Sequence, residues 1–148
     1  MPPSLIAVLS DTHDHLPDQV VGKLAAADEI WHLGDVCSPR TLEPIQALAK
    51  PLFVVRGNCD AYGIWPNELT LERHGTRFQL QHQPPKISFA PVDAILYGHL
   101  HYPSSEDWNG IRLLNPGSIT RPRSGFPSSF AWISFDSDGH WSWRLQEV

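Results

Sequence analysis

The sequence has few cysteines and no long apolar run. Only Cys37 and Cys59 occur among the 148 residues, too few for a disulfide-dense scaffold or a thiolate-rich metal site. The chain shows neither a charged and apolar leader nor an apolar run long enough to cross a bilayer. These absences predict a protein of the reducing cytoplasm, with no membrane partner.

Basic residues are also scarce. The 11 lysines and arginines stand against 16 acidic residues and give a formal net charge of −5. This balance offers no broad cationic face to a polyanionic backbone, so we expect no long nucleic acid as a partner. The length fits a single domain over residues 1–148. Homo-oligomerisation is left open by the sequence.

The first half alternates apolar strands with amphipathic helices. Strands are predicted at Leu5–Leu9, Ile30–Leu33 and Leu52–Val55, and helices at Asp18–Asp28 and Thr41–Lys50. Such alternation is typical of parallel strands joined by right-handed crossovers. Ligands of open sheets of this kind bind beyond the carboxyl ends of the strands. Asp11, Asp35 and Asn58 each follow one of these strands, so we expect their side chains to converge.

The second half is dominated by strands with turns typical of antiparallel hairpins. The predicted strands are Leu69–Arg73, Arg77–His82, Val92–Tyr97, Ile111–Leu114, Phe130–Phe135 and Trp141–Leu145. In the last of these, Trp141, Trp143 and Leu145 alternate with polar residues, which predicts one buried face. The stretch Asn115–Pro127 is rich in proline, glycine, serine and arginine and is predicted to be an exposed loop.

Seven oxygen and imidazole donors lie where predicted strands end. They are Asp11, His13, Asp35, Asn58, His82, His99 and His101. Carboxylate, amide and imidazole ligands without thiolate favour Mn, Fe, Co, Ni or Zn in a catalytic site. Two such ions need one shared carboxylate and hold a bridging water that becomes hydroxide near neutral pH. The donor set is therefore sufficient for a two-metal hydrolase.

The order of these motifs resembles that of a known family. Asp11-x-His13, Gly34-Asp35, Gly57-Asn58, His82 and Gly98-His99-x-His101 match the calcineurin-like metallophosphoesterases, most closely the small YfcE-type phosphodiesterases. The resemblance runs from about Leu5 to Arg123. It implies an α/β fold, a four-layer sandwich of two mixed β-sheets flanked by helices.

The resemblance also implies a ligand set. One metal would take Asp11, His13 and His101, the other would take Asn58, His82 and His99, and Asp35 would bridge them. Mn²⁺ is the expected metal, with Fe, Zn, Ni or Co as alternatives.

The predicted function is that of a metal-dependent phosphodiesterase that acts on a small phosphate ester. A hydroxide bridging the two metals would attack phosphorus, and Asp35, Asn58 and His99 are the expected catalytic residues. A phosphomonoesterase at the same site is the near alternative. Two others are a non-catalytic protein-interaction scaffold of the same fold and a slow nucleotide-binding sensor.

The sequence departs from the family at two places. Cys59 stands where the phosphatase and nuclease branches place a histidine thought to protonate the leaving group. Since a general acid contributes about 10²- to 10⁴-fold, its absence favours substrates with good leaving groups. Ligation by the Cys59 thiolate is an alternative.

The second departure is at residues 84–91. This segment is too short and too rich in proline for the helix that relatives insert there. Phe89 is then either a lip of the site or a residue packed into the body of the protein.

Several polar residues near the motifs have two interpretations. His32 is expected to brace a ligand loop without binding metal. His15 either reaches a phosphate or is a solvated loop residue. Arg121 and Arg123, and with less support Arg112, either contact the phosphate or are solvated. The Asn115–Ser118 turn is expected to shape the loop beside the pocket.

Overall fold

The first half folds as the predicted alternation of parallel strands and helical crossovers. The computed structural model describes residues 3–86 and 91–148. In it β1 (Leu5–Leu9), β2 (Glu29–His32) and β3 (Leu52–Val54) lie side by side and parallel. The crossovers are α1 (Asp18–Leu24) and a 3₁₀ turn (Pro39–Leu42) that runs into α2 (Glu43–Gln46).

Seven further strands complete two five-stranded sheets. They are β4 (Glu68–Arg73), β5 (Thr76–Gln81), β6 (Ala94–Leu96), β7 (Pro103–Trp108), β8 (Ile111–Pro116), β9 (Ser129–Phe135) and β10 (Trp141–Glu147). The strand orders are β10-β9-β1-β2-β3 and β4-β5-β6-β8-β7. Both sheets contain parallel and antiparallel pairs. The predicted α/β sandwich of two mixed sheets is therefore confirmed.

Strand β1 contributes side chains to two hydrophobic clusters, one on each face of the first sheet. Ala7 and Leu9 pack with the helices, whereas Ile6 and Val8 pack with the second sheet. This split follows from the two-residue period of a strand, which sends neighbouring side chains to opposite faces. Within residues 3–86 and 91–148, both helices lie in the cluster on the first sheet, and the outer face of the second sheet has no helix against it.

The first helix is shorter than predicted. It ends at Leu24, and the next two turns close through i→i+3 bonds, from Ala26 N–H to Lys23 O and from Ala27 N–H to Leu24 O. Asp28, predicted to be helical, instead accepts hydrogen bonds from the main-chain N–H groups of Ser4 and Leu5. These bonds fix the start of β1 and lower the pKa of the Asp28 carboxyl.

The second predicted helix, Thr41–Lys50, is broken into shorter pieces. Thr41 belongs to the 3₁₀ turn, and α2 covers only Glu43–Gln46. Pro44 lacks the N–H that the interior of a longer helix would need. It is tolerated in the first turn of a helix, where the N–H groups have no partner within the helix, so a new helix starts here. Ala49 takes a left-handed conformation with φ of 58°, so the helical backbone cannot continue to Lys50.

Two predictions about the second half need correction. The stretch Asn115–Pro127 is not exposed throughout, because β8 extends to Pro116 and the side chains of Asn115 and Ser118 are fully buried. Their burial follows from hydrogen bonds described below. The face of β10 that was predicted to be buried is only partly so, because Trp141 and Trp143 are half-buried and Leu145 is 43% exposed.

Candidate metal centre

The loops after β1 and β2 are held together by main-chain hydrogen bonds. Asp11 N–H donates to Gly34 O at 2.9 Å, and His13 N–H donates to Asp35 O at 3.0 Å. The carboxyl ends of parallel neighbours meet at one edge of the sheet, so residues over twenty positions apart become adjacent. The convergence expected of Asp11 and Asp35 is confirmed.

Four of the predicted donors form a compact group. Asp11, His13, Asp35 and His101 each place a ligand atom within 4.8 Å of the others. His101 Nε2 lies 3.2 Å from Asp11 Oδ1, and His13 Nε2 lies 3.6 Å from Asp35 Oδ2. The two imidazole Nε2 atoms are 3.3 Å apart.

Two more donors adjoin this group. His82 Nε2 is 3.3 Å from Asp35 Oδ2, and His99 Nδ1 is 3.3 Å from His82 Nε2. Asn58 lines the same cavity as His82 and is exposed to it. The same oxygen of Asp35 therefore faces a histidine from each half of the site.

The histidines are oriented by hydrogen bonds on their outer nitrogens. His82 Nδ1–H donates to Leu33 O and His101 Nδ1–H donates to Arg121 O, both at 2.8 Å. In its neutral form each ring would therefore present an unprotonated Nε2 to the carboxylates, as metal-binding histidines do.

One oxygen of the cluster has no hydrogen bond. Asp11 Oδ1 is buried and accepts none, because in neutral His101 the Nε2 atom 3.2 Å away carries a lone pair. Two lone pairs that face each other at this distance repel, and a cation between them satisfies both. The residues present therefore fit a divalent metal.

The charges of the cluster are strongly coupled. Burial raises the pKa of the Asp11 carboxyl, but the nearby imidazoles of His101, His13 and His82 outweigh burial and hold this pKa well below its usual value. Burial lowers the pKa of His82, but the hydrogen bond to Asp35 and the charge of Asp11 outweigh it and raise this pKa. The metal-free site therefore favours carboxylates that are ionised and a His82 that carries a second proton, on Nε2.

The backbone is strained at most of the predicted donors. Left-handed conformations occur at five of them, with φ of 56° at Asp11, 45° at His13, 60° at Asp35, 69° at His99 and 63° at His101. Such conformations are uncommon outside glycine, although aspartate and histidine tolerate them best, and they cluster at functional sites.

Two motif glycines let the loops approach closely. A Cβ on Gly57 would overlap Asp35 N and Asp35 Oδ1, and a Cβ on Gly98 would overlap Ser10 Oγ. Any side chain at either position would push a predicted ligand loop away. This explains why glycine precedes Asn58 and His99.

His32 braces the loops as predicted. It is fully buried, accepts a hydrogen bond from Gly34 N–H on Nδ1 at 3.0 Å and bonds Thr12 Oγ1 through Nε2 at 3.1 Å. Burial lowers the pKa of His32 to about 4, so the ring is neutral at physiological pH. With Nδ1 as acceptor, its Nε2–H donates to Thr12.

Asp60 is a supporting residue that the sequence reasoning missed. It is buried and accepts hydrogen bonds from the main-chain N–H groups of Asp35 at 2.9 Å, Gly57 at 2.8 Å and Cys37 at 2.7 Å. Its place two residues after Asn58, in the loop that follows β3, was the available signal.

The Asn115–Ser118 turn shapes the site as predicted. Asn115 Nδ2 donates to Gly98 O at 3.0 Å, and Ser118 Oγ donates to Asp11 O at 2.9 Å. The turn thus fixes the loops that carry Asp11 and His99, and these bonds explain why both side chains are buried.

A disulfide bond joins Cys37 to Cys59, with the Cα atoms 5.1 Å apart. The sequence reasoning did not predict it, because two cysteines 22 positions apart give no pairing signal. It ties the loop of Asp35 to the loop of Asn58. Cys59 N–H donates to Asp35 Oδ1 at 3.0 Å, and Cys37 Sγ lies 3.7 Å from His13 Nδ1. The alternative of thiolate ligation by Cys59 does not apply to the disulfide form.

The predicted phosphate-binding arginines lie in different surroundings. Arg112 pairs with Asp107 and lies over the ring of Trp141, whereas Arg121 and Arg123 are exposed. Arg56, which the sequence reasoning did not single out, lines a cavity of about 660 Å³ together with Asn58 and His82. His15 is exposed and lines a second cavity. Phe89 lies outside the described residues.

A family model for the calcineurin-like phosphoesterase superfamily domain matches residues 5–138 of the chain. The chain belongs to this superfamily. Among curated relatives, a probable metallophosphoesterase of Methanocaldococcus jannaschii is 34% identical over 139 residues, covering 80% of this chain and 70% of that protein. Phosphodiesterase YfcE of Escherichia coli is 29% identical over 161 residues, and the match covers 86% of this chain and 85% of YfcE.

Solved structures share the fold. YfcE of Escherichia coli superposes with a TM-score of 0.78 at 23% identity, covering 97% of this chain and 99% of that one. Vps29 of Chaetomium thermophilum superposes with a TM-score of 0.77 at 17% identity, covering 98% and 97%. Among the described residues of this calcineurin-like protein, no helix is long and apolar enough to span a membrane.

Proposed function

We propose that this protein is a metal-dependent phosphodiesterase that acts on a small phosphate ester. The observation that carries the proposal is the position of Asp35 Oδ2, 3.6 Å from His13 Nε2 and 3.3 Å from His82 Nε2. A carboxylate oxygen within reach of two imidazoles suits a ligand shared by two cations. Membership in the phosphoesterase superfamily and similarity to YfcE, a phosphodiesterase, support the same activity.

The proposed ligands divide into two sets around Asp35. Asp11, His13 and His101 would hold one divalent ion, Asn58, His82 and His99 would hold the other, and Asp35 would contact both. Nitrogen and oxygen donors fit Mn²⁺, the proposed metal, and also Fe, Zn, Ni and Co. Bound ions would stabilise charge on the phosphate oxygens and supply a hydroxide nucleophile that bridges them near neutral pH.

The chain's own residues position and polarise this site. Asp35 is fixed by the hydrogen bond from Cys59 N–H to its Oδ1, which leaves Oδ2 facing the histidines. Asn58 borders the cavity through which an ester would reach the site, and His99 lies beside His82. We therefore assign Asp35, Asn58 and His99 as the residues nearest the reacting phosphate.

Cys59, which stands where related branches place a histidine acid, gives the leaving group no proton in the disulfide form. Its sulfur is held in the disulfide with Cys37 and carries no thiol proton. The proposed enzyme therefore favours diesters whose leaving oxygen departs as a stable anion, such as aryl esters and strained cyclic phosphates.

A turnover assay with two aryl substrates tests the proposal. With added Mn²⁺ we expect hydrolysis of bis(p-nitrophenyl) phosphate and a lower kcat/KM for p-nitrophenyl phosphate. Asp35→Asn should lower kcat by at least about 10³-fold while the fold is kept, because the shared charge is lost. Asp138→Asn, an exposed control, should leave kcat unchanged.

The alternatives give different results in this assay. A higher kcat/KM for the monoester would replace the diesterase proposal with the phosphomonoesterase. No metal-dependent turnover of either ester would favour the scaffold, and tight nucleotide binding without hydrolysis would favour the sensor. We further propose one catalytic domain over residues 1–148 that acts in the cytoplasm on small substrates, where Cys37 and Cys59 are expected as thiols and the disulfide is the oxidised form. Neither long nucleic acid nor membrane is proposed as a partner, and the oligomeric state is still to be measured.

A further inference from the structure

A polar cavity adjoins the histidine side of the candidate metal centre. Its volume is about 660 Å³, and its lining includes two candidate ligands, Asn58 and His82, together with Arg56, Tyr62 and Gln79. This volume is typical of a site for a drug-sized ligand and exceeds the need of a phosphate group. The cavity therefore has room for a substituent carried by the phosphate.

Arg56 and Tyr62 form one wall of this cavity. The guanidinium carbon of Arg56 lies 3.8 Å from the centre of the Tyr62 ring. Tyr62 is 84% exposed, so the ring face away from Arg56 is open. Arg56 Nε is buried and has no hydrogen-bond partner. Because Nε is closed off from solvent, contact between Arg56 and a ligand in the cavity falls to its Nη groups.

A row of amides forms another wall. Gln79 Nε2 donates to Gln81 Oε1 at 2.6 Å, and Gln81 Nε2 donates to Gln83 O at 2.8 Å. These bonds fix the orientation of both side-chain amides. A lining of fixed amides beside a guanidinium suits a substituent with several hydrogen-bonding groups and disfavours an acyl chain.

We propose that this cavity binds a nucleoside carried by the phosphodiester substrate, with Arg56 and Tyr62 as specificity-determining residues. The inference rests on the proposed function and names its substrate class. The base stacks on the open face of the Tyr62 ring, since flat rings stack on tyrosine. Arg56 donates to an acceptor on the nucleoside, and the amides of Gln79 and Gln81 bond its polar edges.

Two diesters with the same leaving group test this assignment. p-Nitrophenyl thymidine 5′-phosphate and bis(p-nitrophenyl) phosphate both release p-nitrophenolate, so the ratio of their kcat/KM values reports the other substituent. In Arg56→Met and in Tyr62→Leu we expect this ratio to fall about tenfold, mainly through KM of the nucleoside ester. Tyr62→Leu guards against misfolding because Tyr62 is exposed. Arg144→Met, an exposed arginine on β10, is the matched control and should keep the ratio.

A binding measurement gives a readout without turnover. Thymidine 5′-monophosphate should bind the Mn²⁺-loaded protein more tightly than methyl phosphate does in calorimetric titration, and both variants should remove most of the difference. Equal binding of the two ligands to the unsubstituted protein, or a kcat/KM ratio unchanged within about twofold in both variants, would overturn the nucleoside assignment. Absence of metal-dependent hydrolysis of bis(p-nitrophenyl) phosphate would instead overturn the proposed function.

Discussion

Asp60 Oδ2 accepts a hydrogen bond from the main-chain N–H of Asp35 at 2.9 Å. The same oxygen accepts from Gly57 N–H at 2.8 Å, so one carboxylate spans the loops that carry Asp35 and Asn58. Asp60 is 3% exposed. The spacing of the two loops therefore depends on a residue that lies outside the proposed ligand set.

Replacement of Asp60 by asparagine should loosen the site. The side-chain amide of the variant would place a donor where main-chain N–H groups now point, and an unsatisfied buried donor costs about 1–3 kcal/mol. We expect Asp60→Asn to lower the free energy of unfolding by that amount and to weaken Mn²⁺ binding, measured by urea denaturation and calorimetric titration. Asp93→Asn, at an exposed residue that accepts one main-chain bond from Arg77, is the control. Equal effects of the two substitutions would contradict the role of Asp60.

Reduction of the disulfide should weaken both the fold and the metal site. A crosslink between residues 22 positions apart stabilises a protein by about 3 kcal/mol through the unfolded chain. Because Cys59 N–H bonds Asp35 and Cys37 Sγ contacts His13, we also expect weaker Mn²⁺ binding after treatment with dithiothreitol. The double variant Cys37→Ser/Cys59→Ser should match the reduced protein. Identical Mn²⁺ affinity in oxidised and reduced protein would show that the loops hold their positions without the bond.

Metal binding should depend on pH with a definite sign. In the metal-free protein the pKa of His82 is raised above the unfolded-state pKa of 6.5. Protonated His82 therefore stabilises the fold fully below pH 6.5, and this stabilisation is lost as the pH rises through the folded-state pKa. A metal must displace this proton, so Mn²⁺ should bind more tightly and raise Tm further at about pH 8 than at about pH 6. The rise in Tm on adding Mn²⁺ across this range is the measurement. A constant rise would contradict proton displacement.

Gly98 should not tolerate a side chain. A Cβ there would overlap Ser10 Oγ and lie 2.7 Å from Asp11 Oδ2, so Gly98→Ala should cost about 1–3 kcal/mol of stability as an overpacked site does. Gly22→Ala is the matched control, and its effect on stability should have the opposite sign. Gly22 lies in α1, and nothing is within 4 Å of the added Cβ. That change should stabilise the protein by about 0.5–1 kcal/mol. Thermal unfolding of both variants distinguishes them.

The predictions that succeeded used strong local signals. Buried apolar runs gave β1 and β2, and the order of motifs gave the family and the loops that converge. The helices were overestimated because apolar spacing continues past Leu24, whereas Asp28 is recruited by the Ser4 and Leu5 N–H groups. Propensity alone does not register such a tertiary bond.

The parts of the site that escaped prediction depend on long-range contacts. Asp60, the Cys37–Cys59 bond and Arg56 have meaning only once the loops after β2 and β3 lie together. Asn115 was assigned to an exposed loop because prolines and glycines surround it, but its amide bonds Gly98 O and Gly117 N–H in the interior. Composition indicates a turn there, and it does not indicate which way the turn packs.

The most direct test is anomalous scattering from crystals grown with Mn²⁺. We predict two Mn²⁺ peaks that share contact with Asp35, one beside Asp11, His13 and His101 and the other beside Asn58, His82 and His99. Fully occupied crystals with peaks elsewhere, or with no peak in contact with Asp35, would contradict the proposed metal centre.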